Sequence, residues 1–166
     1  MRRTACCLIA ALAASSVAYA ADELVPAPKG APPLLAVDAD GVQIYTCEAK
    51  DQGFAWVFKA PEANLFDKQG RQIGTHFAGP SWKFADGSVV GEVAGRADAP
   101  ASGAIPWLLL KAKSHEGSGV PANTAFIRRI DTKGGAAPTT GCDAAHKGEQ
   151  ARVRYYALYQ FFGAAK

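Results

Sequence analysis

The stretch Ile73-Gly74-Thr75-His76-Phe77-Ala78-Gly79-Pro80-Ser81-Trp82-Lys83-Phe84-Ala85-Asp86-Gly87-Ser88-Val89-Val90-Gly91-Glu92-Val93 decides the fold class. Asp-Gly is a preferred pair for a two-residue type I′ turn between antiparallel strands. Centred on Asp86-Gly87, that turn pairs Phe84 with Val89 and Trp82 with Gly91. Trp82, Phe84, Val89 and Val93 then share one face, with an aromatic ring over the backbone that a strand glycine leaves bare. Lys83 and Glu92 share the wetter face. Upstream, Gly79-Pro80 separates a further strand, Ile73 to Phe77. Alternation there sets His76 with Gly74 and Ala78, opposite Ile73, Thr75 and Phe77.

Similar short segments recur on both sides. Val42 to Cys47 is rich in β-branched and aromatic residues, with Gln43, Tyr45 and Cys47 on one face and Val42, Ile44 and Thr46 on the other. Phe54 to Lys59 follows, with Phe54, Trp56 and Phe58 on one side, and Ala60-Pro61 is expected to end it. Glu62 to Phe66 is ambiguous. Ile105 to Ala112 is an apolar run entered through a proline, short enough to be strand or helix. Ser114 to Asn123 reads as a loop and Thr124 to Ile130 as a strand. Asp131 to Gln150 reads as a long polar connection. Arg152 to Phe162 alternates, with aromatics on both faces, and their density favours a strand. The expected fold is all-β: about eight mostly antiparallel strands forming a barrel or sandwich, with long Gly/Pro-rich loops.

The ends bear on location. Met1-Arg2-Arg3, an apolar run from Ala5 to Ala18 and Ala18-Tyr19-Ala20 read as a leader, residues 1–20, cleaved after Ala20. The run is too short for a membrane span, so no stable span is expected after cleavage. Residues 21–40, with Pro26, Pro28, Pro32 and Pro33, read as an extended lead-in, and 41–163 as the single folded domain. Of 18 basic and 15 acidic residues the leader takes Arg2 and Arg3, leaving 16 against 15. A near-neutral chain of that kind implies no nucleic-acid partner. The expected address is periplasmic or extracellular. Cys47 and Cys142 alone remain beyond the leader, and an even pair in an exported chain reads as a disulfide, two free thiols being the alternative. Pairing the last strand with the first would bring Cys47 to the region of Cys142.

Taken together, these segments resemble an uncharacterised family of exported proteins, domain-of-unknown-function family 3455. The matching stretches are Gly41 to Cys47, Trp56-Val57-Phe58 with Pro61-Glu62-Ala63, Ile73 to Trp82 through Asp86-Gly87-Ser88, Ile105 to Leu110, Thr132 to Pro138, Cys142, and Val153 to Phe162. The last segment departs at Arg154, where a small residue or proline is expected, and at Phe162, where tyrosine is usual. The resemblance implies one exported fold unit and carries no reaction with it.

Candidate chemistry is sparse. His76 is a candidate general base, with Asp86, Ser81 or Ser88 as partners, but Asp86 and both serines also have turn roles. No Gly-x-Ser-x-Gly elbow occurs. His115 and His146 fall in expected loops and do not complete a metal set with His76, so no metal and no cofactor is expected. Trp82, Trp107 and Tyr155 are candidates for lining a ligand pocket at a barrel mouth, against the plainer reading that they pack the core. Gly134-Gly135 lacks the residues that would complete a phosphate loop. Arg128 and Arg129 alternate to opposite faces, which disfavours a shared anion clamp. The expected function is a non-catalytic domain that binds a small molecule or serves as a structural part of the envelope, its partner unknown. The alternative is a hydrolase-like enzyme using His76.

Overall fold

The computed structural model of the protein describes residues 24–166. The expected leader and its cleavage point lie outside the described residues. Eight antiparallel strands follow one another round a single closed barrel, each bonded to its neighbours in sequence and the last returning to the first. They are β1 (Pro33–Lys50), β2 (Gly53–Phe66), β3 (Gln72–Phe77), β4 (Ser81–Phe84), β5 (Gly87–Ala97), β6 (Trp107–Gly117), β7 (Phe126–Gly134) and β8 (Gln150–Phe162). One short helix, α1 (Gly119–Asn123), lies between β6 and β7.

Closure rests on β1. It pairs with β2 from Asp38↔Phe66 to Lys50↔Gly53, and with β8 from Pro33↔Phe162 to Thr46↔Gln150. Residues 33–40, read from composition as part of a lead-in, form the first part of β1. Alternation along β8 turns Tyr155, Ala157, Tyr159 and Phe161 into the barrel, all nearly inaccessible to solvent. They meet Val37, Leu65, Trp82, Val89, Leu110 and Ile127 in one continuous core. Burying one such large apolar side chain contributes roughly 1.5–3 kcal/mol. Because these aromatics fill the interior, the partners facing them are small or slim: Ala39, Gly41 and Ala63. A side-chain carbon on Gly41 would lie 2.2 Å from the Glu62 carbonyl oxygen.

Three local expectations are corrected. The β4–β5 hairpin pairs Phe84 with Gly87 and Trp82 with Val89, not Phe84 with Val89. Its loop is Ala85-Asp86, and neither residue has positive φ, so the turn is not type I′. The reason lies on the other side of β5. Gly87 faces Gly117 of β6 so closely that a side-chain carbon on Gly87 would sit 2.1 Å from the Glu116 carbonyl oxygen. The glycine serves that strand contact rather than the turn. Trp82 still packs on Gly91, 3.2 Å from where a side-chain carbon would stand, but diagonally rather than directly opposite.

Pro61 does not end a strand: β2 runs through it to Phe66. Strand proline is tolerated where one edge is unpaired, and this part of β2 pairs only with β1, because the β2–β3 register begins at Ala63↔His76. The segment read as a loop over 114–123 is the end of β6 followed by α1. Asp86 organises it: its carbonyl accepts from Ser118 N at 2.7 Å and its carboxylate from Val120 N at 3.2 Å.

Cys47 and Cys142 are joined, with Cα atoms 5.3 Å apart and a separation of 95 positions in sequence. The bridge anchors the loop 135–149 to β1. Backbone bonds from Cys47 N to Glu149 O and from Gly148 N to Cys47 O, each 2.9 Å, continue the anchoring. So does the Trp56 indole, which donates to Thr140 O at 2.8 Å. The base of the loop closes one end of the barrel: Gly135, at positive φ, fits against Tyr155, Ile105 and Gln43, and Tyr45 donates to its carbonyl at 2.6 Å.

Two stability outcomes follow. Replacing both Cys47 and Cys142 by alanine is expected to cost about 2–4 kcal/mol in urea unfolding, since the closed loop is long; an unchanged midpoint would contradict the anchoring role. Gly41→Ala is expected to cost about 1–3 kcal/mol through overpacking, measured the same way, and a neutral effect would contradict the tight β1–β2 approach.

Candidate functional site

Unequal strand lengths leave an opening in the wall. β3 and β4 are the shortest strands, and β4 pairs with β5 only from Ser81↔Val90 to Phe84↔Gly87. Among the described residues, Gly53–Glu62 of β2 and Glu92–Ala97 of β5 therefore have no strand partner on the side facing the β3–β4 turn. Two long ribbons, β1–β2 and β5–β6, rise beyond a low sill formed by Gly79 and Pro80. Between them lies a cleft of about 450 Å³.

The cleft has an apolar rim and a polar floor. Phe58 and Val93 stand on the rim, about half exposed, and Leu108 lies below them. Phe58 reaches it because of a β-bulge: register slips between Ile44↔Ala60 and Tyr45↔Phe58. A one-residue bulge reverses which face later residues occupy, so Phe58 joins the inward Tyr45, their rings 5.7 Å apart edge to face. Gln43, Tyr45, His76 and Arg129 supply the polar floor. Gln43 is 2% exposed, and its Nε2 has no hydrogen-bond partner among the described residues. Arg129 is held by two bonds to the Pro106 carbonyl, 3.0 Å from Nε and 2.8 Å from Nη2.

His76 is fully inside. Its ring stacks on Trp82 at 4.5 Å and 13°, with Tyr159 tilted at 5.0 Å. Nδ1 donates to the Ser81 carbonyl at 2.8 Å, which leaves Nε2 as the unprotonated ring nitrogen. Burial pushes the pKa down to about 3, the bond to Ser81 opposing and the Arg129 charge adding to the fall, so the ring is neutral at ordinary pH.

The sequence candidates are distributed as follows. His76 lines the cleft, but Asp86 is at the opposite barrel end, engaged with α1. Ser81 contributes its carbonyl to His76, while its hydroxyl donates to Ala78 O at 3.0 Å. No nucleophile–base pair is assembled around His76 among the described residues. Trp82, Trp107 and Tyr155 are buried at 3% exposure or less and do not line the cleft. The Trp82 and Trp107 indole nitrogens and the Tyr155 hydroxyl nevertheless have no protein hydrogen-bond partner among the described residues. His115, in β6, bonds Thr124 O at 2.6 Å, and His146 bonds Asp143 at 2.7 Å, away from His76. No group of three or more metal-ligating side chains occurs among the described residues.

Sequence reading missed Gln43, Phe58 and Arg129 as cleft residues. The alternation that separates Arg128 from Arg129 was the available signal. It sends Arg128 to the Val25 carbonyl at 2.6 Å and leaves Arg129 to the cleft.

A second, outer groove lies across β1, β2, β3 and β8, lined by Asp40, Glu62, Arg152 and Arg154 among others. Its charges satisfy each other, Arg152 with Glu62 at 2.9 Å and Arg154 with Asp40 at 2.8 Å.

The family model described as "Protein of unknown function (DUF3455)" matches residues 28–163. The chain belongs to the DUF3455 family. The match takes in all eight strands and the disulfide of this DUF3455 protein. No curated protein and no solved structure matches the chain. No helix among the described residues is long and apolar enough to cross a membrane. The disulfide is compatible with an oxidising location.

The depressed His76 pKa fixes a pH dependence. An unfolded histidine binds a proton below about 6.5, and the folded one only near 3. Between those values the unfolded state holds more protons, so stability falls as pH falls. The expected loss by pH 4.5 is about 2–3 kcal/mol relative to pH 7.5, in excess of that shown by His76→Gln. Urea unfolding of both proteins at the two pH values measures it, and equal pH dependence would contradict a neutral, buried imidazole.

Proposed function

We propose that the protein is an exported, non-catalytic binding domain that holds a small molecule in the cleft between its two long ribbons. The observation that carries this reading is Gln43. A buried amide nitrogen without a partner costs roughly 1–3 kcal/mol, and the residue that carries this one lines a cleft with an apolar rim. A ligand acceptor reaching the floor would satisfy it. The cleft is also within the size range of small-molecule sites, which combine mostly apolar walls with a few placed polar groups.

Several features support binding over hydrolysis. His76 has one ring nitrogen committed to a backbone carbonyl and titrates far below neutral pH. A general base works best with a pKa near the operating pH. Asp86, the carboxylate considered with it, is occupied at the other end of the barrel. Export is supported by the leader-like residues 1–20 and is compatible with the bridge between Cys47 and Cys142.

The test is a thermal-shift screen of the purified, oxidised protein against small aromatic and aliphatic compounds, run beside Phe58→Glu. A compound that raises the melting temperature of the parent protein and not of Phe58→Glu is the expected result. Phe58 is half exposed, so the substitution leaves the core intact. Absence of any shift across the screen, or shifts indifferent to Phe58→Glu, would overturn the reading.

A further inference from the structure

Which chemical class the cleft takes rests on the binding reading above and is decided by charge. The residues lining the cleft include three cations, Lys59, Arg96 and Arg129, and no carboxylate. Lys59 is paired with Glu48, a carboxylate it shares with Lys50. Arg96 and Arg129 form no ion pair with a carboxylate among the described residues. Two uncompensated guanidinium groups thus face a cleft whose other walls are Phe58, Val93 and Leu108.

The outer groove makes the contrast. There each arginine has an acidic partner, and nothing is left for a ligand to neutralise. In the cleft, Arg129 is oriented by Pro106, and its field reaches the ionisation of Tyr45, Tyr155 and His76. Gln43 adds an unpaired N–H donor. His76, neutral and with Nδ1 engaged, brings no competing positive charge and no acid. Arg129 and Gln43 line the same cleft, and the part of the guanidinium not engaged by Pro106, together with the unpaired amide N–H, suits an oxyanion as acceptor.

We propose that the cleft recognises an amphipathic carboxylate: the anionic head sits between Arg129, Arg96 and the Gln43 amide, and the apolar body lies against Phe58, Val93 and Leu108. Binding is reversible and involves no covalent step.

Three probes with the same ring and different charge separate this from binding in general: 2-naphthoate, 2-naphthylmethanol and 2-naphthylmethylammonium. Titration calorimetry on the full, oxidised protein is expected to show 2-naphthoate binding at least about tenfold more tightly than the alcohol, with no detectable binding of the ammonium compound. Arg96→Glu is expected to weaken 2-naphthoate by about tenfold or more and leave the alcohol unchanged. Arg96 is exposed and makes no side-chain hydrogen bond to a described residue, so this variant keeps the fold, whereas Arg129→Gln removes two bonds to the Pro106 carbonyl. Raising the salt concentration should weaken the carboxylate selectively. If the three probes bind equally, or Arg96→Glu leaves 2-naphthoate untouched while Phe58→Glu abolishes it, the cleft binds ligands but the carboxylate assignment is wrong. If none of the three binds, and no compound of the wider screen does, the binding reading itself fails.

Discussion

Pairing of β8 with β1 is the constraint on which the rest of the structure depends. It converts a run of hairpins into a ring and brings residues more than a hundred positions apart into register, as in Asp40↔Tyr156. Closure leaves no open edge along most of the sheet, and it turns Tyr155, Tyr159 and Phe161 of β8 onto the inner face. The same pairing carries Cys47 to the end of β1 that the 135–149 loop must cross on its way into β8. The disulfide fixes that crossing, and Gly135 then fits into the barrel end beside Gln43.

The cleft follows from a mismatch inside this ring. Two long ribbons are joined by a hairpin too short to reach their full height, so the sheet is continuous at one level and open above it. Such an opening exposes both strand edges and core. Pro61 and the bulge at Lys59 break the regular edge of β2, devices that discourage pairing with another strand. What remains is a concave site with buried polar groups at its base. A buried amide nitrogen without a partner and a half-buried arginine, Arg129, without a carboxylate are costly as purely structural arrangements, and a bound anion relieves both.

Much of the fold was legible because local pattern and global structure agree there. Alternation in β8 and in Val42 to Cys47 separated the two faces correctly, although over Val42 to Cys47 the inward face is the more polar one. The parity of the cysteines gave the bridge. The Asp86-Gly87 register was not legible, because Gly87 answers to a neighbour thirty residues away across β5–β6 rather than to its own turn. Pro61 was misread for a related reason: whether proline ends a strand depends on whether its outer edge has a partner, which only the lengths of β3 and β4 decide. The candidate site was the least legible part. His76 was singled out, but its surroundings were not, since Phe58 is re-aimed by a bulge and Arg129 becomes a cleft residue only when the barrel closes. Tryptophans chosen for their pocket-lining chemistry sit instead in the core, where aromatic area stabilises the ring.

The central claim is that Gln43 and Arg129 form the floor of an anion-binding cleft. Nuclear magnetic resonance of the ¹⁵N-labelled protein during addition of 2-naphthoate tests it most directly. The account predicts that the Gln43 side-chain amide and the Arg129 Nε resonances move together and saturate, with Val93 and the Gly79 amide following the same curve. Movement confined to the outer groove around Arg152 and Arg154, with Gln43 and Arg129 unchanged, would contradict it.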